Sequence, residues 1–234
     1  MIVGIHQPHF LPWLGYFNKV LRSDVFVWLH SVQYRKNYYQ NRTRIKNINE
    51  VPLWLTLPVH ASLGMLIDEV TIADARWREK IRKTVEQCYR KAPCFQDCWP
   101  PLLEAMAGSS DKLHDVNFRL FMAVLNLVGA GSTRIEQAGS VGGDSDDPTL
   151  RLVNICRNVG ATAYIAGKGG HNYLRASEFE ATNIHVIWQE FDPDSTVYPQ
   201  TGKTFVAGLS VLDALFNLGG ERTREIILSA WEPT

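Results

Sequence analysis

His6, Gln7, Pro8 and His9 crowd two imidazoles and an amide into four residues near the start of the chain. A free imidazole titrates near neutrality, so both histidines are candidate bases. His6 ranks first because it stands nearest the apolar run before it. A second polar tract holds His30, Gln33, Tyr34, Lys36, Asn37, Gln40, Asn41, Arg42 and Arg44. Arginine can fork a carboxylate or phosphate, and amides can read hydroxyls, which suits a substrate-holding face. The plainer reading of this tract is a solvated loop or edge strand. A third group runs from Gly167 through Lys168, Gly169, Gly170, His171 and Asn172 to Tyr173. Glycines let backbone N–H groups come close to a ligand, Lys168 could hold an anion, and His171 could move a proton. The plainer reading here is a strand-to-helix turn facing solvent. Trp13, Tyr16, Tyr198 and Gln200 complete the candidate substrate contacts.

Together these groups could form an amide. A histidine would deprotonate an attacking amine, while Lys168, Asn172 and the N–H groups of Gly169 and Gly170 would hold the oxyanion. Arg42 and Arg44 would hold a carboxylate or phosphate. Three other classes stay open. An ATP-dependent ligase or nucleotidyl transferase would reach the same amide through an acyl-adenylate. A metallohydrolase would put His6, His9 and His30 on one zinc, with no evident carboxylate partner. A non-catalytic module would bind a sugar or a partner.

The elements that must position these residues follow from periodicity. Met1–Ile5 and Val25–Leu29 are short, β-branched and apolar, and read as buried strands. Leu14, Phe17, Val20 and Leu21 fall on one face of a helix between them. Pro8 and Pro12 end the first strand in a turn. A right-handed crossover makes the two strands parallel neighbours, and ligands bind beyond the carboxyl ends of such strands. The three polar groups are therefore expected to converge on one crevice. Further strands are expected at Val51–Val59, as a third strand with an edge position, at Thr133–Glu136, at Ala163–Ala166 and at Ile184–Trp188. Residues 74–128 read as a mainly helical insertion or lid. Asp74 caps its first helix over Trp77–Tyr89, and Pro93, Pro100 and Pro101 interrupt it before helices at Leu102–Ala107 and Asp111–Val128, the last closed by Gly129–Gly131. His114 and Asn117 share a face there, read as surface. Asp147 or Thr149 starts a helix over Leu150–Val159. The final helices cover Leu209–Asn217, with Ser210 and Asp213 on an early polar face, and Arg222–Leu228. The expected fold is one α/β domain over residues 1–234, with a mainly parallel, Rossmann-like sheet flanked by helices.

Composition narrows the partners. Lys and Arg number 24 and Asp and Glu number 24. That balance gives no electrostatic case for nucleic acid or anionic membrane, save a tRNA-borne donor held locally. No apolar run nears the ~20 residues of a membrane span, and no signal pattern opens the chain, so a cytoplasmic setting is expected. Cys94 and Cys98 are four apart, but a zinc site needs a second pair and Cys88 and Cys156 do not supply one. Thiols are expected, buried or half-exposed.

The tracts IHQPHFLPWLGYFNKV (5–20), SDVFVWL (23–29) and VQYRKNYYQNRTRIK (32–46) resemble the signature of the WbqC-like proteins. The likeness continues in VPLWLTLPV (51–59), YIAGKGGHNYL (164–174), VYPQTGKTF (197–205) and LSVLDALFNLGG (209–220). The resemblance implies a bacterial protein of O-antigen or other biosynthetic clusters that transfers glycine, or another acyl group, to an amino sugar. It implies a small-molecule substrate such as a sugar nucleotide or aminoacyl donor. The cofactor stays open between an activated acyl donor and ATP with magnesium. His30-Ser31 stands where the family pattern has an Asp pair, and Gly167-Lys168 where it has Gly-Pro. The N-terminal unit is also weakly similar to HIGH-type nucleotidylyl transferases, but Trp13-Leu14-Gly15-Tyr16 replaces their two histidines.

Overall fold

The computed structural model describes residues 1–129 and 133–233. In chain order, β1 (Ile2–His6) leads through a proline corner into α1 (Leu14–Leu21) and β2 (Val25–Trp28). Two small antiparallel pairs follow: β3 (Arg42–Lys46) with β4 (Pro52–Thr56), and β5 (Val59–His60) with β6 (Thr71–Ile72). Next come α2 (Trp77–Tyr89), α3 (Phe95–Met106), α4 (Leu113–Val128), β7 (Arg134–Gln137) and a short α5 (Ala138–Val141). The chain ends with α6 (Pro148–Asn158), β8 (Ala163–Ala166), a 3₁₀ turn over Lys168–Asn172, α7 (Ala176–Glu180), β9 (His185–Trp188) and α8 (Val211–Ser229).

The main sheet is parallel throughout, in the order β7–β2–β1–β8–β9. This is the Rossmann-like α/β fold. The order reverses at β1: the chain first builds outward through β2 and β7, then returns to β1's other side with β8. Such a switch point opens a crevice beyond the carboxyl ends of the two strands that flank it. Here those ends are His6 and Ala166.

Both faces of the sheet are covered, which is why its strands read as unbroken apolar runs. Phe26 and Trp28 face one core with Phe17, Phe121, Leu102 and Phe216, built from α1, α3, α4 and α8. Val3, Ile5, Val25 and Val27 face the other with Leu152, Val153, Cys156 and Phe179 from α6 and α7. Gly4 lets α1 close on β1: a Cβ there would stand 2.4 Å from Ser23 Oγ.

Several local expectations are corrected. The strand at Val51–Val59 does not join the main sheet; its Pro52–Thr56 part pairs with β3, because prolines bracket it and β1 already has two neighbours. Pro100 and Pro101 sit inside α3 rather than before a helix. Phe95, Cys98, Trp99, Leu102 and Met106 are buried on one side of α3, and burying five such groups outweighs the ~3 kcal/mol cost of an interior proline. Asp74 is not the N-cap of α2; Arg76 is, and Asp74 instead accepts from the Arg76 N–H at 2.9 Å. Asn117, read as surface, is fully buried and donates to the Gln40 carbonyl at 2.8 Å. Gly129 caps α4 in the left-handed region, whereas Gly131 lies outside the described residues. The last two helices are one bent element, α8, with the break at Gly219 (φ 79°). The four cysteines are free thiols, Cys98 and Cys156 buried.

Ser210 and Asp213 are buried too, not on a polar face. Ser210 caps α8 through the Leu212 N–H. The Tyr89 hydroxyl donates to Asp213 Oδ1 at 2.9 Å and accepts from the Lys46 N–H at 2.9 Å. Burial raises the Asp213 carboxyl to about 6. Replacing Tyr89 by Phe orphans a buried N–H and takes one of two phenol donors from the buried Asp213 carboxylate. We expect a loss of roughly 2–4 kcal/mol in urea unfolding at pH 7, partly recovered at pH 5 where Asp213 protonates.

Candidate functional site

The site is built on the carboxyl end of β1. His6 closes that strand, and its Nδ1 lies 3.0 Å from the Gln7 carbonyl. A carbonyl only accepts, so Nδ1 carries the proton and Nε2 keeps its lone pair. The Tyr16 hydroxyl donates to the same carbonyl at 3.0 Å and its ring lies 4.5 Å from that of His6. His9 packs edge-on to His6 at 4.6 Å and is ringed by Trp13, Tyr16, Tyr38 and Tyr39. His9 is only 1 % exposed and neither of its nitrogens has a partner among the described residues.

The expectation that these histidines titrate near neutrality is overturned. Burial, helped by the nearby Lys19 ammonium, lowers His6 to about 3 and also pushes His9 well down. Both rings therefore resist protonation. His6 is the half-buried one and so the one whose lone pair a ligand can reach.

The polar tract is fastened to this corner by its own amides. Gln40 is fully buried; its Nε2 donates to Gln7 Oε1 at 2.8 Å and its Oε1 accepts from the Arg35 N–H at 2.7 Å. Asn41 is buried and donates to the Leu57 carbonyl. These two act as struts. Tyr34 is buried, which raises its phenol, with Arg42 opposing. Gln33, Lys36 and Asn37 are exposed, and the Asn37 carbonyl accepts from Arg42. Arg42 also lies over the Trp54 ring at 4.2 Å, and Trp54 meets Tyr39 at 5.6 Å. Strand alternation in β3 puts Arg44 on the face of Arg42 while Thr43 and Ile45 turn into the core.

The glycine turn arrives from β8. Gly167 abuts α1: a Cβ on it would lie 3.3 Å from Lys19 Nζ. Gly169 faces open space, with nothing within 4 Å of such an atom. Gly170 packs on Trp188, and its N–H donates to the Gly167 carbonyl at 2.8 Å. Gly170 is therefore removed as an oxyanion donor. His171 lies flat on Trp188 at 3.7 Å, while Lys168 and Asn172 are exposed. Burial raises the Tyr173 phenol, with a smaller push from Tyr38 of the polar tract.

Other candidates lie apart. His30 does not join His6 and His9. Its Nδ1 pairs with Asp68 at 3.3 Å and its ring stacks on His114 at 5.2 Å. Among the described residues no group of three or more His, Cys, Asp or Glu side chains is arranged to hold a metal. Tyr198 is buried beside Trp13 and Asp213, and Gln200 bonds the backbone of Val206. A groove of about 580 Å³ runs between α2 and α3, lined by Arg90, Phe95 and Trp99 among others, far in sequence from the histidine corner.

Two residues escaped the sequence reading. Asp68 is one. Lys19 is the other: a lysine in the last turn of a helix reads as an ordinary complement to the helix dipole. Side chains lean toward a helix's N-terminus, however, and this one runs back along β1 to the crevice.

No solved structure matches the chain. No helix of the described residues is long and apolar enough to cross a membrane. The chain is similar to "Uncharacterized protein Rv1507c" of Mycobacterium tuberculosis (strain ATCC 25618 / H37Rv), 31 % identical over 225 residues, 94 % of each chain. Residues 7–225, which begin one residue after His6 and hold His9 and the whole glycine turn, match the WbqC-like protein family, and the chain belongs to that family.

Proposed function

We propose that this chain is a biosynthetic enzyme that transfers an acyl or aminoacyl group, of the glycine type, to the amine of an amino sugar or related intermediate. The observation that carries the reading is the pairing across the switch point. A reachable imidazole lone pair, His6 Nε2, ends one strand, and a glycine turn with a free approach at Gly169 ends the next. In the reaction the amine nitrogen adds to the acyl carbon of the donor. The C–N bond forms, the bond to the leaving group breaks, and the leaving group takes the electron pair. His6 Nε2 accepts the amine's N–H and orients it, and once the C–N bond has formed the proton passes to the departing group or to water. Lys168, Asn172 and the Gly169 N–H face the developing oxyanion. Arg42 and Arg44, with the Tyr39 and Trp54 rings, suit the anionic and planar parts of a sugar nucleotide. We place the protein in the cytoplasm and read residues 74–128 as a helical insertion in one domain.

One feature favours a second reading, an ATP-dependent amide ligase: the strand order is that of sheets that bind nucleotides at the switch point. A single experiment addresses both. The protein is incubated with an amino-sugar nucleotide and, separately, glycine with ATP and magnesium, a glycyl thioester, or glycyl-tRNA, and the amide is followed by mass spectrometry. We expect an amide with one donor. Product only with ATP, accompanied by pyrophosphate exchange, selects the ligase; tight binding without product from any donor removes the enzyme reading.

A further inference from the structure

We propose that Lys19 forms an anion subsite at the switch point between β1 and β8, so that the molecule bound there carries a carboxylate or phosphate group. The proposal deepens the reading above and rests on it for the identity of the substrate.

Lys19 is 3 % exposed. Its stem packs on β1, with Cγ 3.1 Å from where a Cβ of Gly4 would be. Its ammonium lies against Gly167, just past β8, 3.3 Å from the corresponding position there, so both glycines make room for one side chain. Among the described residues no carboxylate pairs with it. Burial is what lowers the amine, to about 8, with no acidic side chain opposing the shift. The titratable groups that face it are His6 and His9, both held neutral, with the un-ionised phenol of Tyr16 beside them. At neutral pH the amine is still mostly protonated. A buried cation without a counter-charge is costly and rarely kept unless something binds it.

Two sources fit: the diphosphate of a sugar nucleotide, or the carboxylate of a free acyl donor. Inorganic pyrophosphate and glycine serve as the two probes. Their binding to the full chain is measured by calorimetry at pH 6.5 and 9.5, for the unaltered protein, Lys19→Met and, as an exposed-lysine control, Lys203→Met. We expect one probe to bind the unaltered protein at pH 6.5, with affinity at least tenfold weaker at pH 9.5 and in Lys19→Met, and unchanged in Lys203→Met. Circular dichroism confirms that Lys19→Met folds; Lys19→Arg, which keeps the charge, should retain part of the affinity if the methionine variant does not fold. Equal binding by Lys19→Met, or no binding of either probe to the unaltered protein, overturns the subsite. Because turnover is not measured, failure of the amide reaction leaves this result standing, and failure of the subsite leaves the reaction open.

Discussion

Replacing His6 by Ala is expected to lower amide formation by about 10²–10⁴-fold while the fold persists. Nε2 is the lone pair of the histidine corner that a ligand can reach, since His9 is sealed among aromatic rings. No water or neighbouring side chain would hold an amine in the same line, and a small misplacement of the attacking atom is enough for a hundredfold loss. The pH profile adds a signature. With His6 at about 3, no imidazole inflection near 6.5 should appear in kcat; an inflection near 8 would come instead from Lys19. Stability carries the same mark. The folded state resists protonating His6, whereas the unfolded chain takes the proton near 6.5. The stabilisation is therefore complete above pH 6.5 and is lost as pH falls toward 3. Urea midpoints of the alanine variant should fall less steeply between pH 6.5 and 4 than those of the unaltered protein. Full activity in the variant would remove His6 from the mechanism.

The second large effect concerns the fold. Gly220→Ala should destabilise by roughly 3 kcal/mol or more, lowering Tm by on the order of 10 °C. A Cβ there would stand 1.8 Å from the Leu127 carbonyl oxygen and 2.8 Å from its carbon. These are backbone atoms of α4, which cannot rotate away as a side chain can. Relief needs α8 to move off α4, opening the core that holds Phe121, Leu212 and Phe216. Gly219→Ala is the control. Its neighbour is the Cys94 Sγ at 3.4 Å, and its main penalty is a backbone at φ 79°, ψ 174° that is essentially glycine-only, about 1–3 kcal/mol. Thermal unfolding of each variant is compared with the unaltered protein; a Gly220→Ala variant as stable as the unaltered protein would mean that the two helices are not in close contact.

Much of this architecture can be read from local pattern. The helix at Leu14–Leu21 follows from its apolar spacing with both ends as expected, and the parallel pairing of the first two strands follows from the crossover. Ala163–Ala166 and the Asp147 cap of α6 are equally local, since each depends on a few neighbouring residues. Where local rules failed, packing prevailed. Two prolines remain inside α3 because one side of that helix is buried, and Asp213 lies in the core because Tyr89 reaches it from far along the chain.

The candidate site divides in the same way. Sequence alone determined which residue types stand at the strand ends, because a chain that turns after a buried strand must place its next side chains at the sheet's edge. Only the tertiary structure decided what those side chains can do. Enclosure by Trp13, Tyr16, Tyr38 and Tyr39 turned two expected bases into neutral imidazoles, and Gln40 and Asn41 became struts. An unremarked lysine became a buried amine packed between Gly4 of β1 and Gly167. The reason is physical: a side chain's protonation state depends on how much water and countercharge surround it, and those are set by groups brought together from distant parts of the chain.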